Sequence, residues 1–287
     1  MEELQVGPFE PIIEGNLVGI WSVSEDKEGK LYATCQTGHI YNILYRQCQE
    51  LYYTGGQPTS LIFESNNIAY IADMAHQRIL CHTETEGRVE VTEIVKDYEG
   101  KPLLGPNCLA YNEENKYLYF TDSGPFGETS ISNPTGNIFA ADLDLLVLKP
   151  IALKCLAYPS GIAISGDGKN IYVAETCLNR VLRIVQSPQG VHHMSVFYQF
   201  GSRFGPSAIA VSENGKIFVA NYDFAEYSKN GLISILSQDG VLVGSFTVPS
   251  APEITSLQFS KIKPNVLYIT ETTNSTCYKV TIPNEPN

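Results

Sequence analysis

The chain of 287 residues has 43% hydrophobic residues, seven cysteines and a net charge of −12. This acidic balance, with no basic stripe, argues against nucleic acid and anionic membranes as partners. No apolar run approaches the roughly 18 residues of a membrane-spanning helix, and the acidic first sixteen residues lack the features of a signal peptide. The cysteines are scattered and form no CxxC pair, which is typical of reduced thiols. We therefore expect a cytoplasmic protein. We also expect it to be a monomer.

One short phrase recurs six times along the chain. Each copy has an aromatic residue at its second position within an apolar run that ends at polar residues. The copies are LYATCQ (31–36), AYIADM (69–74), LYFTDS (118–123), IYVAET (171–176), IFVANY (217–222) and LYITET (267–272). Short runs of β-branched and aromatic residues bounded by Gly, Pro, Asn and Asp predict strands rather than helices. Their spacing of roughly 40–50 residues indicates a repeat architecture.

Further predicted strands surround each copy. An apolar strand precedes it, a third strand such as GLISIL (231–236) follows, and most units add a fourth, such as VEVTEIV (89–95). Six units of four strands predict an all-β fold, a six-bladed β-propeller. The last unit has three clear strands, so LQVGPFEPII (4–13) is predicted to supply its outer strand and hide two sheet edges. No linker or change in composition interrupts the chain, and residues 1–287 are expected to form one domain.

The blade geometry predicts which residues surround the mouth of the central channel. The innermost strand of a blade and its second strand are antiparallel, so the start of one lies beside the end of the other. The residues predicted to start inner strands are Gly19, Thr59, Asn107, Ser160, Ser207 and Glu253. Those predicted to end second strands are Gln36, Asp73, Asp122, Glu175, Asn221 and Glu271. A concave mouth with convergent polar groups predicts a small-molecule site there.

Among these residues, the strand-end acids have two possible roles. Asp73 and Glu175 each precede an arginine by five residues, Arg78 and Arg180, and a structural ion pair is the alternative to ligand binding at both. Asp122 has no basic neighbour and is followed by a long loop (124–136) rich in Gly, Ser and Pro. Long loops at a site are often functional. Asp122 is therefore a candidate catalytic residue.

Two mouth loops add further candidates for ligand binding. His76 follows Asp73, which could orient it as a general base. The loop YDFAEYSKNG (222–231) supplies Tyr222 and two more aromatic rings, which suit either a hydrophobic ligand or packing against the blade. No nucleophile elbow and no phosphate-binding glycine loop is present.

Three stretches carry a resemblance to a known family. GPNCLAYNEENKYLYFTD (105–122), YPSGIAISGDGKNIYVAET (158–176) and GPSAIAVSENGKIFVAN (205–221) resemble the senescence-marker-protein, gluconolactonase and strictosidine-synthase-like propellers. The resemblance covers residues 14–281. It implies a hydrolase of small lactones or esters. In the resembled hydrolases a divalent cation, held by a Glu, two Asn and an Asp at the starts of inner strands, polarises the substrate carbonyl.

The ligand set implied by the resemblance is only partly retained. Asn107 matches the asparagine of the GPN phrase and is predicted to bind the metal. Ser160 and Ser207 stand where the second asparagine and the aspartate are expected, and are assigned to substrate binding instead. Leu17 occupies the place of the glutamate, four residues before Trp21. A calcium, magnesium or zinc ion at this mouth is thus expected to bind weakly.

Two hypotheses about function follow. The first is a divergent hydrolase, either metal-assisted through Asn107 or metal-free through Glu253 or Asp122. The position of Glu253 is similar to that of the single glutamate that strictosidine-synthase-like members use without a metal. The second is a propeller without catalysis that binds a small molecule or a protein at its mouth. Substrate-binding residues predicted under either hypothesis are Ser160, Ser207, His76, Glu175, Asn221, Tyr222 and Glu271.

Overall fold

A computed structural model describes residues 3–14, 17–44, 47–65, 67–187, 190–201 and 203–283. At residues 14 and 44 it describes the backbone alone. The described residues form six antiparallel sheets of four strands each, as predicted from the repeat. The first strand of every sheet contacts the first strands of the two neighbouring sheets, and the last sheet contacts the first. The sheets therefore close into a ring, which is a six-bladed β-propeller. Within the described ranges, no helix is long and apolar enough to cross a membrane.

The first and second strands of the blades follow the repeat closely. The inner strands are β2 (Ile20–Glu25), β6 (Pro58–Ser65), β12 (Pro106–Tyr111), β16 (Pro159–Ile164), β20 (Phe204–Val211) and β24 (Ile254–Phe259). The second strands are β3 (Leu31–Cys35), β7 (Ile68–Asp73), β13 (Tyr117–Asp122), β17 (Asn170–Glu175), β21 (Ile217–Asp223) and β25 (Val266–Glu271). Each second strand lies within one residue of the recurring phrase that predicted it.

The outer half of each blade completes the sheet. The third strands are β4 (His39–Leu44), β8 (Arg78–Thr85), β14 (Gly136–Asp142), β18 (Arg180–Gln186), β22 (Gly231–Leu236) and β26 (Thr276–Thr281). The outer strands of blades one to five are β5 (Gln47–Tyr53), β9 (Arg88–Val95), β15 (Val147–Leu156), β19 (His192–Gln199) and β23 (Leu242–Val248). A small hairpin, β10 (Asp97–Tyr98) and β11 (Lys101–Pro102), lies between blades two and three, and a short 3₁₀ turn, Thr176–Leu178, follows β17.

Blade six is closed by the N-terminal strand. β1 (Glu10–Glu14) pairs antiparallel with β26, so the predicted closure is confirmed. The strand is shorter than the predicted stretch 4–13, because residues 4–9 run along blades five and six without joining a ladder. In that segment Leu4 N donates to Ser245 O and Gly7 N donates to Thr281 O. Pro8, which has no N–H, cannot donate to a ladder there.

The aromatic residue of each repeat lies in the core between neighbouring blades. The ring residues Tyr32, Tyr70, Tyr119, Tyr172, Phe218 and Tyr268 are at most 8% exposed. One contact of this kind joins blades one and two, where the centroids of Tyr32 and Phe63 are 4.7 Å apart. Burying a large apolar side chain stabilises a fold by about 1.5–3 kcal/mol. The repeated ring is thus a packing residue and explains why the phrase recurs.

Every inner strand carries a register shift near its beginning. The shifts fall at or beside Trp21, Thr59, Asn107, Ser160, Ser207 and Thr255. A β-bulge leaves the extra residue outside the ladder and redirects its side chain. These six bulges therefore set the positions from which side chains reach the channel mouth.

Hydroxyl groups at the same level join neighbouring blades. Each donates to a backbone carbonyl oxygen that lies at or beside the bulge of the next inner strand. The hydrogen bonds run from Thr59 to Pro106 (3.1 Å), from Thr121 to Ser160 (2.6 Å), from Thr176 to Pro206 (2.7 Å), from Ser207 to Ile254 (2.8 Å) and from Thr255 to Trp21 (2.5 Å). Five of the six blade junctions are tied together in this way at the channel mouth.

Candidate functional site

A pocket of about 160 Å³ opens where the bulges meet. Its lining residues are Trp21, Asn107, Phe126, Tyr158, Ser160, Thr176, Ser207, Tyr222, Glu253, Ile254 and Thr255. Five residues of the predicted site, Asn107, Ser160, Ser207, Tyr222 and Glu253, are therefore brought together. The central channel continues from this pocket between the inner strands and includes Lys261 at its other end.

Asn107 presents its carbonyl oxygen to the pocket. Its amide nitrogen donates to Ser123 Oγ (3.0 Å) and to the Tyr158 hydroxyl (3.4 Å). The Ser123 hydroxyl in turn donates to Gly124 O (2.9 Å), so it can only accept from Asn107. This arrangement fixes the orientation of the amide. In the described part of the chain, Asn107 Oδ1 accepts no hydrogen bond, so it is left to face a ligand.

Tyr158 is a protonated hydrogen-bond donor at the same wall. It is 7% exposed, and burial raises the pKa of its hydroxyl to about 12. The hydroxyl accepts from Asn107 (3.4 Å) and is also hydrogen-bonded to the Ser123 side chain. The backbone φ of Tyr158 is 59°, a value that a bulky residue adopts only where its surroundings hold it. Tyr158 is thus a protonated and conformationally constrained hydroxyl group in the pocket lining.

Three aromatic rings enclose the outer part of the pocket. Phe126, from the loop between β13 and β14, meets Tyr158 edge-on, with centroids 4.9 Å apart and an interplanar angle of 85°. Phe126 is also 6.4 Å from the ring of Tyr222, at an angle of 58°. The Phe126 side chain is nevertheless largely exposed at 61%. The mutually tilted rings form three walls of an aromatic cage.

Glu253 is the acidic group of the pocket. It lies just before β24 and is partly buried, and burial raises the pKa of its carboxyl above the ordinary value. The nearby negative charges of Glu271 and Glu226 raise this pKa further. One long hydrogen bond, from the Thr273 hydroxyl (3.4 Å), opposes the shift. No basic side chain is paired with Glu253 among the residues that the structure describes.

The two serines of the pocket are engaged in blade-to-blade contacts. The Ser160 hydroxyl contacts Thr176 Oγ1 (2.8 Å) and Pro206 O (3.4 Å). The Ser207 hydroxyl donates to Ile254 O (2.8 Å). Because these protons are directed to the protein, the serines offer a ligand mainly their lone pairs.

The predicted strand-end acids lie beneath the mouth loops, where they bind backbone groups. Glu175 accepts from Ala157 N (2.8 Å) and from Arg180 Nε (2.6 Å), which confirms the predicted ion pair with Arg180. Glu271 accepts from the backbone N–H groups of Thr273 and Asn274, at 2.9 and 2.7 Å. Both carboxylates are fully buried and neither lines the pocket.

Asp122 and Asn221 are also buried and hydrogen-bonded to protein groups. Both Asp122 oxygens are occupied, by Leu104 N (3.2 Å), Gly105 N (2.8 Å) and Asn137 Nδ2 (2.8 Å), and burial raises the pKa of the carboxyl. The Asn221 amide nitrogen donates to Val219 O and to Ser234 Oγ. The structure does not bring either side chain into the pocket lining.

His76 lies in the loop between β7 and β8 of blade two. Its Nδ1 is 2.8 Å from Asp73 Oδ2, as the predicted orientation by Asp73 requires. Asp73 also binds Arg78 (3.3 Å), so the second predicted ion pair is confirmed. The imidazole is 45% exposed and is not part of the pocket lining.

Reasoning from the sequence missed six pocket residues: Trp21, Phe126, Tyr158, Thr176, Ile254 and Thr255. Thr176 and Ile254 directly follow the predicted positions Glu175 and Glu253. Trp21 and Thr255 lie two residues beyond the predicted positions Gly19 and Glu253, because the bulge sits inside the strand and not at its start. Phe126 lies in the long loop after Asp122, whose length was the available signal. Tyr158 precedes β16, and its left-handed backbone has no signature in the sequence.

The oxygen ligands of this mouth do not fit a tight divalent-cation site. In the described ranges, no group of three or more His, Cys, Asp or Glu side chains is placed to hold a metal ion. The pocket offers one carboxylate and one free amide oxygen, whereas Ca²⁺ takes six to eight oxygen ligands. Leu17, at the position of the expected glutamate, is 5% exposed and packs in the core of blades one and six.

Comparisons with curated proteins find lactonases. The chain is 27% identical over 173 residues to lactonase drp35 of Staphylococcus aureus strain MRSA252, covering 59% of this chain and 49% of that protein. It is 24% identical over 186 residues to lactonase drp35 of Staphylococcus epidermidis strain RP62A, covering 63% and 53%. The aligned region thus spans about half the length of these curated relatives.

Comparisons with solved structures find the same fold. A gluconolactonase from Xanthomonas campestris matches with a TM-score of 0.78 at 17% identity, covering 96% of this chain and 90% of that one. A calcium-binding regucalcin from Agrobacterium tumefaciens matches with a TM-score of 0.79 at 16% identity, covering 100% and 99%. The family model for the SMP-30/gluconolactonase/LRE-like region matches residues 23–273. The chain therefore belongs to the SMP-30/gluconolactonase/LRE-like family.

Proposed function

We propose that the protein hydrolyses a small lactone or ester in the mouth pocket, with Glu253 as general base. The observation that carries the proposal is the position of Glu253, the single carboxylate among the described pocket residues, without a basic partner. A raised carboxyl pKa suits a group that must take a proton and return it near neutral pH. The lactonase relatives and the family membership support lactones as the substrate class.

The chemistry uses three side chains of the pocket. Asn107 Oδ1 accepts a hydrogen bond from a water molecule, and the Glu253 carboxylate takes the second proton of that water as its oxygen attacks the substrate carbonyl. The Tyr158 hydroxyl donates to the oxygen on which negative charge develops. When the tetrahedral intermediate collapses, the acyl–oxygen bond breaks and protonated Glu253 returns its proton to the leaving oxygen.

The remaining predicted residues take supporting roles in this proposal. Ser160, Ser207 and Tyr222 border the substrate. The hydrogen bonds of Asp122, Glu175, Asn221 and Glu271 support a role in holding the loops and strand ends around the pocket, and His76 lies further out. Asp122 is then a positioning residue that holds the backbone of Leu104 and Gly105 just ahead of β12, the strand that carries Asn107.

A divalent cation is proposed only as a weak ligand of Asn107 Oδ1 and Glu253, and no step above depends on it. Titration with Ca²⁺, Mg²⁺ and Zn²⁺ while following thermal unfolding tests this directly, because a ligand of the folded state raises the unfolding temperature by mass action. We expect little stabilisation at millimolar ion. A large stabilisation that Asn107→Ala abolishes would instead indicate a metal-dependent site.

Binding without catalysis is the second candidate function. It is favoured by the burial of Leu17 in the core and by the engagement of the Ser160 and Ser207 hydroxyls with neighbouring backbone. These features remove three of the four ligands implied for a metal-dependent lactonase. A small molecule held at the mouth without turnover would then be the biological ligand.

A panel of lactones and aryl esters distinguishes the two functions. We expect turnover that falls by about 10²–10⁴-fold in Glu253→Gln, the usual contribution of a general base. The matched control is Glu128→Gln, which changes an exposed carboxylate in the loop that carries Phe126. Turnover that survives Glu253→Gln would contradict the assignment of the base. Ligand binding with no turnover of any substrate in the panel would favour the second function.

A further inference from the structure

We propose that the mouth pocket selects ligands that carry an organic cation, a protonated or quaternary amine on a small apolar body. The inference names the substrate class of the site described above and thus rests on the proposed function. It comes from the joint presence of an aromatic cage and an unpaired carboxylate in one small pocket.

The aromatic residues supply the first part of such a site. Cations are attracted to the faces of aromatic rings within about 6 Å of the centroid, and cages of several rings recognise quaternary ammonium groups. Phe126 is inclined at 85° to Tyr158 and at 58° to Tyr222, so the three rings form separate walls and do not stack flat on one another. Trp21 completes the aromatic lining. Four aromatic residues thus line the pocket that a cation would occupy.

The charges around the pocket supply the second part. Glu253 borders the cage closely enough for its charge to raise the pKa of the Tyr158 and Tyr222 hydroxyls, after the larger effect of burial. Glu226 lies beside Tyr222, whose hydroxyl donates to it (3.3 Å). Glu271 is close enough to Glu253 for its charge to raise the pKa of the Glu253 carboxyl. The pocket therefore has a negative field.

Basic groups do not neutralise this field within the described pocket lining. Lys261 follows β24 whereas Glu253 precedes it, so roughly 25 Å of strand separates them at 3.3 Å per residue. Arg203, from the strand-edge loop beside Tyr227, is held by Asp223 in a two-point ion pair at 2.7 and 2.5 Å. Even partial burial of a carboxylate without a cation is unfavourable. An ammonium group in the cage would remove that cost.

The pocket volume limits the size of the cationic group. At about 160 Å³, the pocket is close to the volume of a cavity that accepts benzene, about 150 Å³. A trimethylammonium or a small alkylammonium group fits this space. The exposed edge formed by Phe126 leaves room for the rest of the ligand to extend outward.

Calorimetric titration with choline and with its neutral isostere 3,3-dimethylbutan-1-ol tests the inference. The two probes have the same shape and differ in charge. We expect choline to bind at least about fivefold more tightly, as cation–π contacts in a desolvated cage allow. Phe126→Leu, Tyr222→Leu and Glu253→Gln should each reduce this ratio. Tyr222→Phe, which keeps the ring, should retain most of it.

Tyr227→Leu is the matched control, because Tyr227 is 83% exposed on the loop that follows β21 and Tyr222, but lies outside the pocket lining. It should leave the ratio unchanged. Equal affinities for the two probes, or no binding of either, would overturn the inference.

Failure of the inference remains distinguishable from failure of the hydrolase proposal. Turnover of neutral esters that depends on Glu253, without a cation preference, contradicts only the inference. Selective choline binding with no turnover of any ester contradicts only the hydrolase.

Discussion

Replacing Thr121 by valine removes one hydroxyl that ties two blades together at the pocket. The Thr121 hydroxyl accepts from Cys108 N (3.1 Å) and donates to Ser160 O (2.6 Å). Both contacts occur at bulges, where the ordinary ladder offers no partner. Valine has nearly the same shape as threonine. The substitution therefore removes two hydrogen bonds without opening a cavity.

The expected destabilisation follows from the two groups left without partners. A buried backbone group that loses its hydrogen bond costs about 1–3 kcal/mol, and the added buried methyl group offsets a part of this. We expect a loss of about 2–4 kcal/mol. With an unfolding entropy of about 2.1 cal/mol/K per residue, the entropy for this chain is about 0.6 kcal/mol/K. The unfolding temperature should therefore fall by about 3–7 °C.

Thermal unfolding followed by circular dichroism measures this shift. Thr247→Val is the control, because Thr247 is exposed on the outer strand β23 and its substitution should change stability by no more than about 0.5 kcal/mol. Turnover or ligand binding should also weaken in Thr121→Val, since the bulge beside Thr121 aims Asn107 into the pocket. If the two variants unfold at the same temperature, the hydroxyl–carbonyl hydrogen bonds between neighbouring blades do not stabilise the blade junctions as we infer.

Two further predictions concern close packing and pH. Gly161→Ala should unfold at a clearly lower temperature than the control Gly166→Ala. A Cβ at Gly161 would lie 2.9 Å from Ala208 Cα, whereas a Cβ at Gly166 meets nothing within 4 Å. Equal unfolding temperatures would show that the inner strands can move apart to accept the added methyl group. Turnover should fall as the pH is lowered through the Glu253 pKa, because the base must be ionised. Since burial, and then the charge of Glu271, raise that pKa, the fall should begin at a higher pH than for an exposed carboxylate; a pH–rate profile with its midpoint at an ordinary glutamate pKa would contradict this.

Several features of the fold were predictable because they are local. The alternation of apolar and polar residues, the turn residues and the recurring aromatic position identified all six second strands, from β3 to β25. The count of three strands in the last unit predicted the closure by β1. The five-residue spacing of Asp73 with Arg78 and of Glu175 with Arg180 predicted both ion pairs, because adjacent antiparallel strands place these residues side by side.

The composition of the pocket depended on tertiary structure. Whether a strand-end acid such as Asp122 faces a ligand or a loop is set by the path of that loop, and loop paths have no period in the sequence. The bulges that aim Trp21 and Thr255 into the mouth arise where six inner strands converge around the channel. Sequence alone therefore determined the propeller and the group of strands whose ends meet at its mouth. Only the packing of the blades decided that Asn107, Tyr158 and Glu253 share one pocket, because their proximity results from contacts between blades far apart in the chain.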